Sequence, residues 1–286
     1  MKEFIFLGLS ENQGVQKIYF VVFLLFYTLT VAGNLLTVTS SWHLNSPLYF
    51  FLCHLSFVDV FFSSVTDPQM ISGSLVENNT ISFAGCIGQL FGLHFFGCTE
   101  VFTLTATAYD RHVPICQPLH CPMLVSRPPV WPRSGGLLGG GLMHAALQTL
   151  PTALLPFCGP NKVTHYFCDA HPLLRLARAD TRAEGPAAAA GSGVTFPGCF
   201  LILVMSCVVI LLPLRGQTLA GRHSPHCGSH STVVMLCLGP ARLFTSACPV
   251  TSPRNKNVAF FCTLITPMFN PFIYSLWNGE VRGAMQ

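Results

Sequence analysis

The chain has 286 residues, of which 9% are charged and 51% hydrophobic, and its mean hydropathy is +0.53. A soluble domain of this length could not cover its surface with about a third of the usual share of charges, so the chain is expected to lie in a lipid bilayer. The formal net charge of +4 is too scattered to point to nucleic acid.

Residues 1–17 form a short N-terminal segment without an Asn-x-Ser/Thr acceptor. The first predicted span, residues 18–40, contains no acidic or basic side chain and is long enough to cross a bilayer core at about 1.5 Å per residue. It is too long for the core of a cleaved signal peptide and has no basic run before it, so it reads as an uncleaved anchor. Within it, Gly33-Asn34 places one amide among apolar neighbours, and in a bilayer that amide needs an internal partner or serves as interhelical glue.

Pro47 stands where the second span, residues 48–71, would start. Asp59 falls near its middle and Asp67 further on. A carboxyl at that depth is expensive unless it is protonated, paired or ion-bound. Between spans, Glu77-Asn-Asn-Thr80 makes Asn78 a formal glycosylation acceptor, close to the membrane. The third span, residues 86–110, carries Glu100 as its own interior carboxyl. It ends in Thr107-Ala-Tyr-Asp-Arg-His-Val-Pro-Ile-Cys-Gln-Pro-Leu-His-Cys121, which sets Asp110 beside Arg111 at the water boundary. Such a pair can hold together in one state and release the guanidinium in another.

A loop rich in Pro and Arg follows and cannot be continuous helix, because proline removes helix donors. The fourth span, residues 135–157, is glycine-rich. The fifth, residues 194–214, is preceded by a low-complexity Ala/Gly stretch and interrupted by Pro197 and Pro213. In the sixth, residues 231–250, Leu238, Arg242 and Thr245 are spaced for one helix face, near a kink at Pro240. Arg242 either attracts an acidic ligand or snorkels toward headgroups. The seventh, residues 257–276, holds Asn270-Pro271, which weakens the helix locally so that Tyr274 can swing when the bundle rearranges. A short tail, residues 277–286, completes the chain.

Most of the 13 cysteines lie in apolar runs, where Cys behaves as a small hydrophobe. Two clusters permit a metal reading: Cys158, His165, Cys168 and His171, and His223, His226, Cys227 and His230, the second opposed by Pro225. No nucleophile, base and orienting residue stand out as a set, so no catalytic site is expected. The broken-helix repeats of a transporter are also missing.

Several of these stretches together resemble the olfactory receptors, a branch of the rhodopsin-like G-protein-coupled receptors. Phe4 to Ser10 is similar to F-I-L-L-G-L-S, and Leu44 to Asp59 to L-H-S-P-M-Y-F-F-L-x-x-L-S-F-x-D. The Asp110-Arg111 run resembles M-A-Y-D-R-Y-V-A-I-C-x-P-L-H-Y, and Pro267 to Met285 resembles P-M-L-N-P-x-I-Y-S-L-R-N-x-E-V-K-x-A-M. Pro156 to Asp169 resembles the family's second extracellular loop. The resemblance implies an all-α membrane protein, a seven-transmembrane rhodopsin-like bundle in the plasma membrane, with residues 1–17 outside and 277–286 inside. Lysine and arginine counts by loop do not favour that orientation, but the rule discounts long loops, so the parity of the cysteines and the resemblance carry it.

The same resemblance implies a small volatile odorant held by Leu93, His94, Gly97 and Cys98 on span three and Leu238, Arg242 and Thr245 on span six. It implies a heterotrimeric G protein of the olfactory stimulatory type as partner, with Asp110, Arg111 and Tyr274 as the switch and Asn270, Pro271 and Tyr274 as the NPxxY-type motif. Asn34, Asp59, Glu100 and Asn270 would form a polar core, with sodium or a proton at Asp59 and Glu100 and no other cofactor. Cys86 and Cys168 fall in loops an even number of spans apart, where an oxidising lumen would let them pair.

The chain also departs from the pattern. Arg178 occupies an expected cysteine position, which would leave Cys158 unpaired, and Cys207 replaces a tyrosine. The segment Gly221 to His230 is short and gains Pro225. Leu138 stands where the family generally has Trp, so the fourth helix is expected to pack loosely. The lost loop cysteine, the shortened segment, Pro225 and Cys207 support the alternative of a degenerate receptor-like protein impaired in folding or G-protein coupling.

Overall fold

A computed structural model describes residues 3–6, 13–41, 47–75, 79–116, 130–157, 161–163, 167–176 and 261–276. The predicted spans 194–214 and 231–250 and the tail lie outside the described residues, as do Asn78, Leu238, Arg242 and Thr245.

Helix α1 (Gln13–Ser41) is longer than its predicted span and contains no proline. Its polarity is inverted relative to a soluble helix: Ile18, Val21, Leu25 and Leu36 are exposed, whereas Thr30, Asn34 and Thr37 are buried. The two threonines satisfy themselves on their own helix, Thr30 Oγ1 donating to the Phe26 carbonyl at 2.8 Å and Thr37 Oγ1 to that of Gly33 at 3.0 Å. A face of exposed aliphatics around a polar interior suits hydrocarbon outside and protein inside.

Helix α2 (Pro47–Gly73) starts on the proline, whose missing N–H costs nothing at a first helical turn. It ends where the Ser74 hydroxyl donates to the Met70 carbonyl at 2.8 Å. Helix α3 (Phe83–Cys116) extends past both predicted limits, 86 and 110. Ser82 caps its start, Oγ accepting from Gly85 N at 3.1 Å. Helix α4 (Val130–Ala153) begins before and stops short of the predicted 135–157, where Pro156 lacks a donor that a further turn needs. A short α5 (Ala170–Leu176) follows, and a π-helical turn (Phe261–Ile265) leads into α6 (Thr266–Leu276).

Helix α2 packs between α1 and α3, α4 packs on α3, and α6 lies against α1 and α2. Around Leu138, which is exposed, the fourth helix has open space at Gly135, Gly136 and Gly139, but it comes close to α3 at the next two glycines. A Cβ at Gly140 would lie 2.7 Å from the Phe102 ring, and one at Gly141 would lie 3.0 Å from the Phe95 carbonyl oxygen and run into Thr99. Glycine there lets the α4 backbone approach α3 more closely than a larger residue allows, as is common between helices in lipid.

One end of the bundle is closed by a small sheet that the apolar spans did not reveal. Strand β1 (Glu3–Phe6) pairs antiparallel with β2 (Asn79–Ser82) and parallel with β3 (Lys162–Val163), in the order β2-β1-β3. Phe4 and Phe6 alternate with outward residues, so both point into a core of Cys86, Leu90, Phe157, Cys168 and Leu173.

Candidate functional site

The helices bring together four of the predicted polar positions in the middle of the bundle. Asn270 on α6 donates from Nδ2 to Asp59 Oδ2 on α2 at 2.8 Å and to Glu100 Oε1 on α3 at 3.2 Å. All three side chains are buried, Asp59 at 0% exposure. Two carboxyls within reach of one amide nitrogen cannot both carry charge without a cation beside them, and one proton held between them is the other solution. Asp59 Oδ1 is buried and has no hydrogen-bond partner among the described residues. That oxygen and the Glu100 carboxyl fit either occupant.

Asn34 attaches α1 to the same node for a reason that lies in the backbone of α6. Pro271 has no N–H, so the carbonyl of Pro267, four residues earlier, loses its helical donor. Asn34 Nδ2 supplies the missing bond at 3.1 Å and also reaches the Thr30 carbonyl at 3.0 Å. The approach needs Gly33, because a Cβ there would meet the Pro271 ring at 3.1 Å. Pro267 likewise cannot donate to Thr263, and the π-helical turn lies just before it.

Asp110 and Arg111 continue α3 in unbroken helix to Cys116, and Tyr274 lies in the last turn of α6. These two helix ends lie at the end of the bundle away from the sheet.

The four predicted pocket residues of α3 turn to different neighbours. Leu93 packs on a cluster of Phe23, Met70, Phe167 and Leu264. A Cβ at Gly97 would touch the Phe62 ring at 3.5 Å. The His94 ring meets that of His144 on α4 edge to face at 5.8 Å, and Cys98 is buried one turn further on.

At the sheet end, Cys86 and Cys168 form a disulfide with Cα atoms 5.4 Å apart. Cys168 is therefore committed, while Cys158 and His165 of the first metal reading and all of the second lie outside the described residues. Gln89, one turn from Cys86, fastens this corner. Its Oε1 accepts from Cys168 N at 2.9 Å and its Nε2 donates to the Val65 carbonyl at 3.0 Å. His54 on α2 meets Thr103 of α3 through Nδ1 at 3.1 Å. Neither Gln89 nor His54 stands out by sequence reasoning. Their signal, a single polar side chain in an apolar run, is the one that marks Asn34.

The sequence profile of the family described as olfactory receptor matches residues 20–286. The chain is 47% identical to human olfactory receptor 4S2 over 99% of its own length and 93% of the relative's. It is 47% identical to human olfactory receptor 4X2, covering 100% and 96%, and 44% identical to mouse olfactory receptor 4E2, covering 99% and 94%.

Proposed function

This chain belongs to the olfactory receptor family, seven-helix rhodopsin-like proteins that cross the plasma membrane several times and are not enzymes, and on that premise we propose that it is a ligand-gated switch for a G protein. A small volatile odorant sits among the helices near Leu93, His94, Gly97 and Cys98, with Leu238, Arg242 and Thr245 completing its surroundings. Binding favours the arrangement in which Arg111 leaves Asp110 and a cleft opens to a stimulatory G protein of the olfactory type. A ligand can do this only through different affinities for the two arrangements.

The observation that carries the reading is the Asn270 amide shared between Asp59 and Glu100. It ties α2, α3 and α6 at one buried point, and two of those helices carry the switch residues at one end. Sodium or a proton at Asp59 and Glu100 holds the node in one arrangement, and its loss frees α6 to move. The charge of the carboxyls, the amide of Asn270 and the anchoring of α1 through Asn34 are this chain's own contributions. The alternative, an impaired receptor, rests on Arg178, Cys207 and Pro225, all outside the described residues, and no observation here favours it.

The test is a surface-tagged full-length chain in cells with a cyclic AMP readout over a panel of volatiles. The parent should respond, and Arg111→Ala at equal surface label should not. Asp59→Asn should change the response while surface label is kept. A parent that reaches the surface and stays silent across the panel would overturn the coupling proposal in favour of the impaired alternative.

A further inference from the structure

Two turns from Asp59 along α2, toward the disulfide, lies a second carboxyl. Asp67 is fully buried, and so is Ser63 between them. Their four-residue spacing puts Asp59, Ser63 and Asp67 on one helix face, each step about 6 Å along the axis. Each has a buried oxygen without a partner among the described residues: Asp59 Oδ1, Ser63 Oγ and Asp67 Oδ2. The other Asp67 oxygen accepts the hydroxyl of Thr66 at 2.9 Å. The π-helical turn and α6 pack on α2 and carry their own buried series at the same kind of spacing, Thr263, Thr266 and Asn270.

A row of buried oxygens is costly within a bilayer unless something polar and mobile satisfies it. Water suffices for the hydroxyl of Ser63, whereas two buried carboxyls also call for protons or for a cation beside them. Carboxylate and hydroxyl oxygens suit a hard cation. A divalent ion of calcium's kind takes six to eight oxygens, more than one carboxylate and its neighbouring hydroxyls supply.

We propose that Asp67 is a second cation site and that Asp67, Ser63 and Asp59 line a hydrated path by which a sodium-sized monovalent cation passes between the disulfide end of the bundle and the Asp59, Glu100 and Asn270 node. The inference rests on the reading of that node as a cation site.

The experiment measures the melting temperature of the purified full-length receptor in detergent against sodium chloride, with choline chloride holding ionic strength constant. A ligand that binds only the folded state raises the melting temperature as it saturates. The parent should show two saturating components. Asp67→Asn should lose one of them and weaken the other about tenfold, the Coulombic effect of a unit charge at about 12 Å with an effective dielectric near 20. Asp67→Glu should restore both. Asparagine keeps the shape of the side chain and an oxygen that accepts from Thr66, so the variant reports on binding and not on folding.

If Asp67→Asn titrates like the parent while Asp59→Asn abolishes the response, the second site is wrong and the node reading stands. If the parent does not respond to sodium at all, or responds to pH alone, the second site falls together with the sodium reading of the node, and a pH response leaves a proton as the node's occupant.

Discussion

Replacing Asn34 by leucine isolates the bond between α1 and α6. In the parent, Asn34 Nδ2 donates at 3.0 Å to Thr30 O and at 3.1 Å to Pro267 O. The Thr30 carbonyl already has a backbone donor within α1, so that loss counts for little. The Pro267 carbonyl does not, because Pro271 cannot supply one. Leucine also removes Asn34 Oδ1, a buried oxygen with no partner among the described residues, and that change is favourable. A buried carbonyl left bare costs about 1–3 kcal/mol, while interhelical hydrogen bonds measured in a membrane bundle average about 0.6 kcal/mol and reach about 1.7 kcal/mol. The expected loss is therefore about 1 kcal/mol, roughly fivefold in the folding equilibrium.

Thermal unfolding in detergent of the parent, Asn34→Leu, Pro271→Ala and the double variant measures it. Alanine in place of Pro271 restores an N–H for the Pro267 carbonyl, so Asn34→Leu should cost nothing in that background. The coupling between the two substitutions should be about 1 kcal/mol. The lost ring contact with Gly33 is common to both Pro271→Ala variants and cancels. Should Asn34→Leu cost as much in the Pro271→Ala background as in the parent, the carbonyl is not what Asn34 serves and the reasoning fails.

Gly141→Ala drives a Cβ toward the Phe95 carbonyl, which cannot step aside, and should destabilise by about 1–3 kcal/mol. Gly139→Ala meets nothing within 4 Å and should be neutral or stabilising by up to about 1 kcal/mol, so opposite shifts in melting temperature check the pair. Gln89→Leu leaves the Cys168 N–H without its acceptor and should cost about 1–3 kcal/mol, seen as faster proteolysis of the segment around the disulfide. Phe4→Ala empties a fully buried site at the sheet end and should cost about 3–5 kcal/mol. Hydrogen exchange should rise in residues 3–6, 79–82 and 161–163, whereas the exposed Glu3→Ala leaves those amides protected.

The apolar runs behind the described helices, and the polar side chains set within them, were legible in the sequence. A run without charge between 18 and 40 reports its own solvent, and Asp59 or Glu100 inside such a run must be met by something. What meets them could not be read, because the partner is set by packing: Asn270 lies 211 residues from Asp59, and the carbonyl that holds Asn34 lies 233 residues away. Nor could the close approach of α4 to α3, since composition reports that glycines are present and only the facing helix decides which of them are needed. The strand at Glu3–Phe6 was hidden for the same reason: its alternation is four residues long, and its pairing partners come from two distant loops. Burial in hydrocarbon is a property of each segment taken alone, so the sequence determined it. Bonding between single buried groups depends on which segments become neighbours, and that was decided only when the helices packed.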